Sequence, residues 1–157
     1  MAEVNQFYEV LAAQIPVFIE KALDGAGSDL LTDLKARAFP STASEGKDAN
    51  GTPLKNGRAY SPAYAKQRQK KGLQTNYVDL QFTGNLLNNG IGVNRGKTSY
   101  IIDFANDAFA EQAADIERKY RQTIFAASKE EAEKALETFE FLFFGQVDKL
   151  TKQFGYR

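Results

Sequence analysis

The chain predicts an α+β fold: a small antiparallel β-sheet, a hairpin near residues 90–104, packed against long N- and C-terminal helices. Two observations predict it. Apolar residues recur at steps of three and four at both ends of the chain, and between them Ile91, Val93, Tyr100, Ile102 and Phe104 fall at alternate positions across a turn at 94–97. With 157 residues, 43% of them hydrophobic, 12 Phe and 7 Tyr, the chain is sized for one domain and carries enough apolar surface for a core. Residues 1–157 are read as a single domain with a long exposed loop at about 40–60.

In the first segment Val4, Phe7, Tyr8, Leu11, Ile15, Phe18, Ile19, Ala22 and Leu23 share one helical face. Pro16 is expected to kink or restart this helix, and Gly25 and Gly27 to end it. Ser28 then caps a second helix carrying Leu30, Leu31, Leu34 and Ala38, which stops before Pro40. From Pro40 to Ser61, Asn50-Gly51, Pro53 and Asn56-Gly57 interrupt both periods, which predicts the loop. Ser61-Pro62 and Gly72 bracket a short basic helix over 62–71. Val78, Leu80 and Phe82 alternate like a strand, while Thr83-Gly84-Asn85-Leu86-Leu87 offers a helical turn instead. Residues 105–119 fit either a helix or irregular chain.

Ser128-Lys129-Glu130-Glu131 is a capping box, and a long helix follows it through Ala132, Leu136, Phe139, Leu142, Phe143, Val147 and Leu150. Phe141 and Phe144 widen its apolar face, as needed either for a core buried on more than one side or for a subunit interface.

Composition excludes several chemistries. The chain has neither Cys nor His, so thiolate catalysis, disulfides and the commonest metal ligand and general base are gone. Apolar runs such as 141–144 are far too short to span a bilayer, and the first residues lack the pattern of a secretory signal, so no membrane partner and intracellular synthesis are expected. Gly92-Val93-Asn94-Arg95-Gly96-Lys97-Thr98 has one residue too few between its glycines for a phosphate-binding loop, and a strand follows where a helix is needed. Asp48-Ala49-Asn50-Gly51 begins like a calcium loop but lacks the rest, and reads as a turn. No catalytic, cofactor-binding or metal-binding residue is predicted, and no cofactor.

Charge, zero overall, is unevenly placed. Residues 49–78 hold Lys55, Arg58, Lys66, Arg68, Lys70 and Lys71 with no acid, whereas residues 1–33 hold Glu3, Glu9, Glu20, Asp24, Asp29 and Asp33 against Lys21 alone. Tyr60, Tyr64 and Tyr77 interleave with or follow the basic run. Such a segment suits nucleic acid, through phosphate neutralisation and base stacking, or acidic-to-basic pairing between copies of the chain. The predicted interaction residues are Lys55, Arg58, Tyr60, Tyr64, Lys66, Arg68, Lys70 and Lys71. Packing of the tyrosines on the core and simple solvation of the lysines are the plainer alternatives.

From residue 48 onward the order of short motifs resembles the virion morphogenesis, neck and tail-completion proteins of tailed bacteriophages. The motifs are Asp48-Ala-Asn-Gly-Thr-Pro-Leu, Tyr60-Ser-Pro-Ala-Tyr-Ala-Lys, Lys70-Lys-Gly, Leu80-Gln-Phe-Thr-Gly-Asn-Leu-Leu and Ile124-Phe-Ala-Ala-Ser-Lys-Glu-Glu. The tryptophan common in that family's glycine-rich turn is absent, and Ala126-Ala127 stands where glycine and leucine are usual. The resemblance implies a non-enzymatic virion protein, assembled in the host cytoplasm as a cyclic homo-oligomer, a hexamer or dodecamer. Its implied partners are portal, adaptor, tail terminator or tail tube, with non-specific contact to DNA in the channel. The alternative is a nucleic-acid-binding module using residues 55–71.

Overall fold

The computed structural model describes residues 2–40, 44–54, 60–81 and 83–155. Its elements are α1 (Ala2–Ala38), α2 (Pro62–Lys70), a π-helical turn (Leu86–Gly90), β1 (Ile91–Arg95), β2 (Tyr100–Phe104), α3 (Asp107–Tyr120) and α4 (Lys129–Gln153). The fold is α+β, with long helices at both ends and one two-stranded antiparallel sheet among the described residues.

The expected break at Gly25 and Gly27 does not occur: α1 runs unbroken for 37 residues through Pro16 and both glycines. Pro16 sits at an exposed position, where the missing amide costs one hydrogen bond without ending the helix. The glycines serve close packing instead. A Cβ at Gly25 would collide with Leu142 Cδ1, and one at Gly27 with the ring of Tyr100 near its root. Gly27→Ala is therefore expected to lower stability by about 1–3 kcal/mol through overpacking. At an open helical site the same change would instead gain up to about 1 kcal/mol. Urea unfolding of the two proteins checks the sign.

α1 and α4 lie side by side and antiparallel. Asp33 meets Lys134 at 2.7 Å, Asp29 accepts from Thr138 Oγ1 at 3.1 Å, and Phe7 packs on Phe154 with ring centroids 5.4 Å apart. Phe18, Ala22, Ala26 and Leu34 form the buried line of α1. The hydrophobic core gathers at the C-terminal end of α1, where Leu34, Ala38 and Phe39 meet Leu54, Val78, Leu86, Ile91, Tyr120 and Ile124. The rest of the helix pair extends away from it.

The hairpin forms with Ile91 opposite Phe104 and Arg95 opposite Tyr100, but Asn94 and Arg95 pair as part of β1, so the turn expected at 94–97 lies at 96–99, where Gly96 N donates to Ser99 O. Its alternate residues Ile91, Val93, Ile102 and Phe104 are buried or half-buried, as the period of two requires. Residues 107–120 resolve as a helix, because Asn106 caps it by accepting from the Phe109 amide. The Ser128/Glu131 capping box starts α4.

The strand expected at 78–82 is absent in 78–81, while Phe82 lies outside the described residues. Leu80 has φ +54, which no strand tolerates. Leu86–Gly90 is helical, the alternative for that stretch. The loop expected at 40–60 is not simply exposed: in 44–54, Gly46, Asp48 and Leu54 are buried. Gly46 N donates to Val78 O and Lys47 N to Arg37 O, while Ala49 N donates to Thr123 O. Paired backbone groups let this turn-rich segment enter the interior at low cost. Residues 41–43 and 55–59 lie outside the described residues.

Candidate assembly surfaces

Asp48 makes the turn that begins like a calcium loop. Its Oδ1 accepts from the amides of Asn50 and Thr52, its Oδ2 from Gln122 Nε2, and Gly51 takes φ +77. Both carboxylate oxygens are thus spent on protein donors. Among the described residues no group of three or more His, Cys, Asp or Glu side chains is placed to hold a metal ion. A concavity of about 800 Å³ lies between the end of α1, residues 44–51 and the start of α4. The charges lining it include the mutual pairs Arg37–Glu131 and Asp33–Lys134, so its wall is largely self-neutralised.

α2 is placed by its own basic residue. Arg68 is fully buried, against the expectation that it faces a partner. One guanidinium nitrogen spans both Asp79 oxygens at 3.0 and 2.9 Å, Nε donates to Gln74 O at 2.8 Å, and Nη1 to Gln81 O at 3.1 Å. The Tyr60 ring lies 4.3 Å from the guanidinium carbon, and its hydroxyl donates to Asp79 Oδ1 while accepting from the Asp79 amide. Gln74 Nε2 completes the ring of donors around Asp79.

Burial would raise the Asp79 carboxyl. Hydrogen bonds from Gln74, Gln81 N and Tyr60, with the Arg68 charge, outweigh it and hold the carboxyl below its ordinary range. Burial also pushes the Tyr60 phenol well above its usual value, and the Tyr120 phenol up to about 12.

The predicted interaction residues therefore divide. Arg68 is removed from the contact set, since its donors are consumed inside the chain. Tyr60 is half-buried with its hydroxyl engaged, and Tyr64 packs edge-on against it at 5.1 Å. Lys66, Lys70 and Lys71 are exposed on and just after α2. Lys55 and Arg58 lie outside the described residues. Tyr64 is half-buried, with Lys119 Nζ 5.4 Å from the centre of its ring.

The surface that sequence patterning only hinted at is on α4. Because α1 covers one side of this helix, the widened apolar face leaves Leu136, Phe141 and Phe144 outward, exposed by 57%, 79% and 61%. Val4, Tyr8 and Val17, in the N-terminal half of α1, are exposed as well. Phe139 and Phe143 stack in parallel at 6.0 Å beside this ridge, and Phe144 meets Phe143 edge-on at 5.4 Å. Exposed aromatic rings grouped on one rigid helix are the usual mark of a surface made to be covered. No described helix is long and apolar enough to cross a membrane. No protein-family description, curated protein or solved structure matches the chain.

Proposed function

We propose that the chain is a non-enzymatic structural subunit of a tailed-phage virion, a connector, neck or tail-completion ring protein that joins head to tail. The observation carrying this reading is the outward ridge of Phe141 and Phe144 on a helix whose other side is already packed. A lone monomer would leave that apolar area in water, at a cost of about 25 cal/mol for each Å². The motif order of residues 48–131 supplies the phage context. A rigid helix pair anchored in an α+β body suits a subunit whose neighbours are copies of itself.

The nucleic-acid alternative loses Arg68 to the interior; of its basic residues among the described ones, the exposed lysines Lys66, Lys70 and Lys71 on and just after α2 are left. Its signature is affinity that falls steeply with salt. For the structural role, the decisive experiment inactivates the gene in its phage and inspects the lysate by electron microscopy. DNA-filled heads and separate tails are the expected products. Joined, infectious particles lacking the protein would sink the proposal.

A further inference from the structure

Two exposed helical faces share a spacing. On α4, Glu137, Glu140, Phe141 and Phe144 occupy positions i, i+3, i+4 and i+7, and all four are exposed. On α2, Ala63, Lys66, Gln67 and Lys70 occupy the same four positions and are exposed likewise. Each face is about 10 Å long at 1.5 Å per residue.

We infer that the acidic, aromatic stripe of α4 in one copy docks on the lysine face of α2 in the next copy. The inference rests on the reading of the chain as a ring subunit and names the contact that closes the ring. Three properties select this occupant. The first is charge: two carboxylates face two ammonium groups, and among the described residues none of the four belongs to an ion pair within the chain.

The second is shape and chemistry. The α2 face carries no aromatic or branched side chain, so two phenyl rings can lie on Ala63 and on the aliphatic stems of the lysines, whose ammonium heads are drawn to the rings. The third is exclusion. Pairing α4 with its own copy would set Glu137 and Glu140 against like charges, and pairing α2 with α2 would do the same for lysines. The contact is thus between unlike faces, and such contacts repeat head to tail until the rotation closes. The burial of Arg68 contributes by holding α2 rigidly on the body, so its lysines are presented on a fixed face.

Charge reversal tests this with the full chain. Assembly is followed by sedimentation against the 17.4 kDa monomer. Glu137→Lys/Glu140→Lys and, separately, Lys66→Glu/Lys70→Glu should each weaken self-association by roughly tenfold or more, and raised salt should weaken the wild type. An equimolar mixture of the two variants should assemble again, because each then offers the face the other lacks. Phe141→Ser/Phe144→Ser should weaken assembly with little dependence on salt. All these sites are exposed, and a circular-dichroism melt verifies that each variant is folded. Assembly of the Lys66→Glu/Lys70→Glu protein at wild-type strength, or a mixture that stays monomeric, overturns this contact while leaving the ring reading intact. A wild-type chain that neither self-associates nor binds portal or tail proteins overturns both.

Discussion

Arg68→Ala is expected to destabilise the protein by about 3–5 kcal/mol, because it strands a buried carboxylate whose charge partner is gone. Asp79 is 7% exposed and would keep only its neutral donors, Gln74, Tyr60 and the Gln81 amide. Two core-facing carbonyls, Gln74 O and Gln81 O, would lose the Arg68 donors as well. Arg68→Lys keeps the charge but not the planar fork, so an intermediate loss is expected. Urea unfolding reads both variants, and an Arg68→Ala midpoint matching the wild type would show that the network adds nothing.

The same site sets a pH dependence. The folded-state pKa of Asp79 lies below its unfolded value, so its contribution is present above the ordinary carboxylate pKa near 4 and is lost as pH falls through the lower folded value. Without Arg68 the burial effect gains weight and the folded pKa rises. Acid unfolding of Arg68→Lys and Arg68→Ala should therefore begin at higher pH than in the wild type, with the alanine variant shifted further.

The second large effect is expected at Glu131. Its carboxylate serves two ends at once: Oε1 meets Arg37 Nε at 2.6 Å, and Oε2 accepts from the Ser128 amide to close the capping box. Arg37 in turn donates to the carbonyls of Lys47, Ile124 and Ala126. Glu131→Ala removes the carboxylate half of the capping box, leaving Ser128 Oγ on the residue 131 amide, and leaves this nearly buried guanidinium without its counter-charge, a loss of about 3 kcal/mol. Glu131→Gln retains an acceptor for the cap and should lose less. Equal losses in the two variants would place the stabilisation in the ion pair alone, and no loss in either would refute the coupling.

What was legible in the sequence is what depends on near neighbours along the chain. Helical periods at both ends, the alternation of the hairpin and the Ser128/Glu131 cap are local, and the structure has each of them. Gly25 and Gly27 read locally as stops because their purpose lies in Leu142 and Tyr100, which no local pattern connects to them. Arg68 reads as one more contact residue of the basic run, since nothing in its own helix announces that Asp79 waits beyond the following turn. The loop at 44–54 reads as polar by composition, yet Asp48 folds that polarity inward. On α4 the excess width of the apolar face was visible, but which aromatic rings face outward was set by the line along which α1 packs.

The antiparallel contact of α1 with α4 also bears on how the chain folds. The two helices touch along much of their length yet are separated by roughly 90 residues of intervening chain, so their pairing must wait on a costly loop closure. Until the middle of the chain has collapsed, both helices carry their apolar faces into water, and the Phe-rich stretch of α4 is the part most open to mispairing with other nascent chains. Refolding should accordingly be slower than for a helical protein of local contacts, and losses to aggregation should grow with chain concentration.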